Sequence, residues 1–174
     1  MTHAHANLSL TGAALAVSFI VYALFAAGSV ALAIIDARTK LLPNRIVFPL
    51  YGVGLVGFGL ITALVHDSAA VTHLITALAA MAVLFGVFYA IAMFGPMGYG
   101  DVKLAGVIGL YLGWLAIPIV FAGVLLGTVA AALAAIGIVA VRTARRKPWR
   151  RTEIPYGPYL LLGAWVAILL NFWA

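Results

Sequence analysis

Apolar residues run along this chain in long blocks separated by short polar segments. Residues 13–35, 46–65 and 74–93 form three predominantly apolar stretches that carry no charge. Each reaches the ~20 residues that a helix needs to cross about 30 Å of hydrocarbon. A fourth stretch, 102–141, is 40 residues long with one early lysine, Lys103. It is too long for one crossing, and Gly113, Trp114 and Pro118 mark a turn near its middle, so it divides into two spans, the first of them short. Residues 156–173 form the last apolar stretch. The pattern predicts an all-α, polytopic membrane protein with six transmembrane helices. Residues 1–12 are expected to form a short outer tail and 13–174 a single membrane-embedded domain. Neither a repeat nor a long linker is visible.

Charge sets the orientation. Arg38, Lys40 and Arg45 lie between the first two spans, and Arg142, Arg145, Arg146, Lys147, Arg150 and Arg151 lie before the last. Basic loops face the cytoplasm. Four spans separate these two loops, an even number, so they share a side. Reading 102–141 as one helix would break that agreement. Segment 95–103 then also faces the cytoplasm, whereas the N-terminus and the 66–73 loop face outward. The first span is not expected to be a cleaved signal peptide, because residues 1–12 carry no lysine or arginine and the apolar run is too long. The expected location is the inner, cytoplasmic membrane.

Composition narrows the chemistry. The chain is 66% hydrophobic and 8% charged, against roughly 45–50% apolar and about 25% charged in a soluble domain, which excludes a water-soluble globule and a disordered chain. The net charge of +6 would suit nucleic acid, but the basic residues sit between apolar runs and read as orientation signals; no nucleic-acid partner is expected. The basic cluster within 142–153 also suits contact with anionic lipid headgroups, worth about 1 kcal/mol per charge, although a stop signal that fixes orientation is enough by itself. There is no cysteine, so disulfides, thiolate metal sites and thiol nucleophiles are excluded. No phosphate loop, zinc motif or serine triad appears, and neither metal nor cofactor is expected. His3, His5, His66 and His73 all fall on the outer side; His3 and His5 read as a polar tail. Gly109–Gly113 and Gly123–Gly127 have the four-residue spacing that lets helices approach closely, which indicates a bundle rather than an activity.

Any carboxylate chemistry must use Asp36, Asp67, Asp101 or Glu153. Asp67 is expected on the outer side, and Glu153 lies in the basic loop, where it is expected to pair with an arginine. Asp36 ends the first span and Asp101 opens the fourth, both at the cytoplasmic rim. Two carboxylates at one depth are the minimum for aspartic hydrolysis: held close, they share one proton, the ionised member takes a proton from water and the protonated one polarises a carbonyl. Each also has a structural reading. Asp36 suits a solvated helix end, and Asp101 suits an N-cap for a helix starting at Val102. The segment Gly95-Pro96-Met97-Gly98-Tyr99-Gly100-Asp101 adds a flexible loop at the membrane edge, roomy enough for a peptide backbone.

Gly98-Tyr99-Gly100-Asp101-Val102-Lys103 resembles the GxGD motif of the type IV prepilin peptidase family, and Asp36 followed by Pro43 and Asn44 is similar to that family's other aspartate motif. Ile154-Pro155-Tyr156-Gly157-Pro158-Tyr159 resembles its C-terminal signature. The resemblance spans about residues 13–173. It implies a membrane aspartic peptidase that cuts short basic leaders from prepilin-like proteins at the cytoplasmic face, usually after a glycine and before the apolar helix. By motif position, Asp36 and Asp101 become the catalytic pair, while Gly98 and Gly100 shape the loop. Larger members carry an N-terminal cysteine-bearing region associated with N-methylation, so a short form is expected to cleave without methylating.

Around the pair, Pro43 is expected to start the second helix, and Asn44 to cap it or to bond near Asp36. Lys103 either eases ionisation of Asp101, meets lipid phosphate, or anchors by snorkelling. Pro155 and Pro158 read as punctuation before the last helix. Three other readings stay open: a small transporter that uses Asp36 and Asp101 as ion sites, a non-catalytic pilus or secretion assembly subunit, and a GxGD protease with other membrane substrates. The sequence leaves the oligomeric state open.

Overall fold

The computed structural model describes residues 2–95, 97–144 and 155–173, with side chains from residue 11 onward. Six helices follow one another: α1 (Thr2–Thr39), α2 (Asn44–Val65), α3 (Ser68–Phe94), α4 (Tyr99–Leu115), α5 (Ile117–Ala144) and α6 (Gly157–Trp173). Helices are the expected solution for such apolar stretches, because hydrocarbon offers no partners to backbone N–H and C=O groups. Thr11–Thr39, α2, α3 and α5 are long and apolar enough to cross a membrane, and α6 is a shorter apolar helix. Phe19, Val56, Ile75, Phe121 and Leu133 are among many large apolar residues exposed on the outside of the bundle, as lipid contact requires. The chain is an integral membrane protein. Helix α1 begins at Thr2, so it runs through the segment expected to be a tail.

The connections are tight. His66 ends α2 in the left-handed region at φ 53°, and its N–H returns to Thr62 O at 3.2 Å. Asp67 then caps α3 by accepting the Ala69 N–H at 3.3 Å, a favoured role for Asp. The 102–141 stretch breaks at Ala116, which is extended at φ −171°, ψ 155°. Pro118 sits in the first turn of α5, where a missing N–H costs nothing. Trp114 remains inside α4, stacked on Phe58 at 4.5 Å.

Helix α4 is the axis of the bundle: Val102 and every residue from Leu104 to Gly113 are buried. Its glycines make this possible. A Cβ on Gly109 would lie 2.5 Å from the Ala80 carbonyl oxygen, and one on Gly113 would lie 2.9 Å from Ala77 Cα, so α3 and α4 touch backbone to backbone. Gly123 and Gly127 play the same part between α5 and α6, facing Ala164 and Leu160. Both four-residue glycine pairs therefore mark helix crossings.

An aromatic cluster locks the relative heights of the helices. Phe25 of α1 stacks on Tyr111 of α4 at 4.0 Å and on Trp165 of α6 at 5.3 Å. Tyr22 donates to Tyr111 O at 2.9 Å, and Tyr111 donates to Leu50 O of α2 at 2.9 Å. Buried hydroxyls bonded to carbonyls across helices resist sliding, because a shifted helix would leave them unpaired. The end of α1 and the starts of α2, α4 and α6 are thereby held at one end of the bundle.

Candidate active site

Asp36 lies in the last turn of α1 and is only 4% exposed. Its Oδ2 accepts the backbone N–H of Gly157 at 3.1 Å, from the first residue of α6. Gly157 is itself buried, and a Cβ there would lie 2.8 Å from Asp36 Oδ2 and 3.4 Å from Leu104 Cδ2. Asp36 is thus not a solvated helix end. It is a carboxylate packed against the start of another helix.

Asp101 is not the N-cap of α4. The helix begins three residues earlier than the apolar run suggests, with Gly98 as N-cap, and Asp101 falls at the third helical position. Its N–H donates to Gly98 O at 3.0 Å. The carboxyl stands ahead of the apolar run, at the end of the bundle. The Gly98 backbone N–H of the same turn lies beside it, and a second negative charge beside Asp36 would be disfavoured.

The two aspartates open onto one cavity of about 280 Å³, which is also lined by Lys40, Leu41, Leu42, Asn44, Gly98, Tyr99, Gly100 and Lys103. The cavity is formed by the α1–α2 connection on one side and the start of α4 on the other. Gly100 allows them to meet, since a Cβ there would sit 3.0 Å from Leu42 Cβ. Gly98 reaches the cavity but meets only Asp101 and its own loop.

Lys103 donates to Asn44 Oδ1 at 2.9 Å and lies over the Phe48 ring, 5.4 Å from its centre. It reaches across to α2. Asn44 is the first residue of α2 and its Oδ1 is taken by Lys103, while Pro43 takes the N-cap position one residue before the expected one. Pro43 stays outside the cavity lining and sets where α2 starts. Tyr51 fixes the backbone behind Lys103 by donating to its carbonyl oxygen at 2.7 Å. Tyr156 shares a hydrogen bond with Thr128 at 2.9 Å. Its phenol is raised by burial, lowered by the Thr128 hydrogen bond and raised by the charge of Asp101, which ties the α6 entry to the same region.

Sequence reasoning missed the role of Gly157. The signature around it was visible, and the signal lay in a glycine set between two prolines at a helix start. Leu42, Tyr51 and Tyr99 carried no signal of their own. Asp67 lies at the opposite end of the bundle from the cavity, in the α2–α3 connection. Glu153 and the basic residues Arg145 to Arg151, together with the side chains of His3 and His5, fall outside the described residues.

Residues 23–139 match the family model described as "Type IV leader peptidase family". The chain belongs to that family. Among its relatives is a protein of Aeromonas hydrophila named "Prepilin leader peptidase/N-methyltransferase", 38% identical over 144 residues, which are 80% of this chain and 46% of the relative. A protein of the same name from Pseudomonas aeruginosa is 35% identical over 82% of this chain and 46% of its own. Another, from Escherichia coli K12, is 32% identical over 82% of this chain and 59% of its own. The chain spans about half the length of most curated relatives it matches. No solved structure shows a significant match. Family membership removes the reading as an unrelated transporter, and the matched segment contains both aspartates of the cavity.

Proposed function

We propose that this chain is an aspartic endopeptidase that removes the leader of prepilin-like membrane proteins, with Asp36 and Asp101 as its catalytic pair. The observation that carries this reading is the single cavity onto which both carboxylates open, though they stand far apart in sequence. Family membership supports it.

The chemistry follows from a pair that holds one proton. The ionised carboxylate takes a proton from a water molecule as its oxygen attacks the scissile carbonyl carbon. The protonated carboxyl gives its proton to the carbonyl oxygen, which yields a gem-diol. On collapse, the first acid hands its proton to the leaving nitrogen, the C–N bond breaks, and the second recovers its proton from a gem-diol hydroxyl. No covalent intermediate forms. Gly98 leaves room for an extended substrate backbone, while Gly100 lets Leu42 of the α1–α2 connection close against the start of α4. A scissile bond after glycine suits this, since glycine weakens a helix by about 1 kcal/mol relative to alanine and exposes the carbonyl to be attacked.

On this reading all six helices cross the bilayer. The short α4, about 26 Å long at 17 residues, is shielded from lipid by its neighbours. Arg38, Lys40 and Arg45 stand at the cavity end of the bundle, and by the positive-inside rule that end is cytoplasmic and the N-terminus external. The membrane is then the inner membrane. Cleavage there suits a substrate whose basic leader stays in the cytoplasm while its apolar helix lies in the bilayer.

The test is purified protein in lipid vesicles incubated with a prepilin. The expected product is the pilin shortened by its leader, with a new N-terminus at the start of the apolar segment. An uncut prepilin in the presence of folded protein contradicts the reading.

A further inference from the structure

Asp36 and α6 are joined by more than packing. Gly157 is the first residue of α6, so its N–H is one of those that no turn of its own helix can satisfy. Pro155 and Pro158 bracket it, and neither has an N–H to offer. The free N–H of Gly157 meets Asp36 Oδ2 at 3.1 Å, with both residues buried. The approach depends on glycine, because a Cβ would stand 2.8 Å from that oxygen.

A hydrogen bond from a backbone N–H to a carboxylate is charge-assisted and strengthens in a low dielectric. It favours the charged form, and the positive end of the α6 dipole acts in the same sense. Resting on the peptidase reading above, we propose that Gly157 is a positioning residue whose N–H fixes Asp36 Oδ2 in its charged form, so that Asp36 is the base and Asp101 the acid of the pair. In bond terms, the water proton goes to Asp36 as the new C–O bond forms, and the Asp101 proton goes to the carbonyl oxygen. When the C–N bond breaks, the Asp36 proton goes to nitrogen and Asp101 regains its own.

Asp101 has a comparable set, the Gly98 N–H of its own turn and the positive end of α4. What sets Asp36 apart is a donor 3.1 Å away on another helix, which offsets the burial that disfavours its charge. Among the described residues, the other titratable side chains facing this space are Lys40 from the α1–α2 connection, Tyr99 and Lys103 from α4, and Tyr156 ahead of α6. All of them stay in place in the variants below.

The experiment measures leader cleavage against pH for the full-length protein in vesicles. The decisive variant has glycolic acid at position 157, which turns the Tyr156–Gly157 amide into an ester and removes the N–H without adding an atom. The expected result is an acidic limb moved up by about one pH unit or more, the effect of losing a hydrogen bond to a charged group, with KM unchanged. Gly157→Ala is expected to lose more, through a displaced carboxylate. Gly137→Ala, at a position with nothing within 4 Å of the added methyl, is expected to match the wild type. An ester variant whose profile overlays the wild type, or is lowered equally at every pH, overturns the proposal alone. Wild-type protein that does not cleave, or an Asp36→Asn variant that cleaves fully, overturns the peptidase reading and the proposal with it.

Discussion

Lys103 of α4 donates to Asn44 of α2 at 2.9 Å across the mouth of the cavity that holds both aspartates. Two motifs distant in sequence are thereby tied by one bond, with Phe48 beneath the ammonium. The lysine does not simply snorkel away from the bundle. If this bond holds the cavity mouth in shape, Asn44→Ala and Lys103→Met each lower kcat/KM by about two- to tenfold, the range for one hydrogen bond. The double variant is then expected to lose little more than either single one, because neighbours that share one contact are not additive. Steady-state cleavage kinetics of the four proteins form the cycle that checks this, and full additivity would count against the bond.

The cysteine-free sequence makes the geometry directly testable. With Asp36→Cys and Asp101→Cys introduced together, a short bifunctional thiol reagent is expected to link α1 to α4 rapidly in native membranes, seen as a mobility shift after a protease cut between them. Asp36→Cys combined with Asp67→Cys, at the opposite end of the bundle, is expected to stay unlinked under the same conditions.

Two carboxylates that open onto one cavity make cleavage depend on pH, because like charges held close share one proton; the rate of leader removal measured across pH checks this. Cleavage by the wild type is expected to decline as the shared proton leaves, with an apparent value that belongs to the pair rather than to either residue.

The close approach of α3 and α4 depends on Gly109 and Gly113. Gly109→Leu forces a side chain into the Ala80 backbone, and overpacking of this kind costs about 1–3 kcal/mol. Unfolding in mixed micelles is expected to show that loss, along with lower activity as the start of α4 shifts. Gly86→Leu, where nothing lies within 4 Å of an added Cβ, serves as the comparison and is expected to be neutral.

Much of this architecture was legible in the sequence because bilayer thickness imposes a length on each apolar stretch. The division of 102–141 followed from that length and from the charge parity of its flanks, and the break at Ala116 agrees with it. Glycine spacing pointed to the helix crossings for a similar reason, since only missing side chains let backbones touch. Helix ends were harder to read. Asp101 looked like a cap because the apolar run starts at Val102, but Tyr99 and Gly100 tolerate the helix and extend it backward. Asn44 looked like a cap too, yet its oxygen is taken by Lys103, a contact between residues distant in sequence. The bond between Gly157 and Asp36 joins the first helix to the last, and no local pattern encodes such a distance.

The central claim is that the two carboxylates of one cavity act together on an amide bond. The most direct measurement is the rate of leader removal from a purified prepilin by Asp36→Asn and by Asp101→Asn, each shown to be folded and inserted in vesicles. General acid–base groups contribute about 10²–10⁴-fold, so each single variant is expected to lose at least about 100-fold in kcat while still binding the prepilin. Either variant cleaving at the wild-type rate would contradict the account.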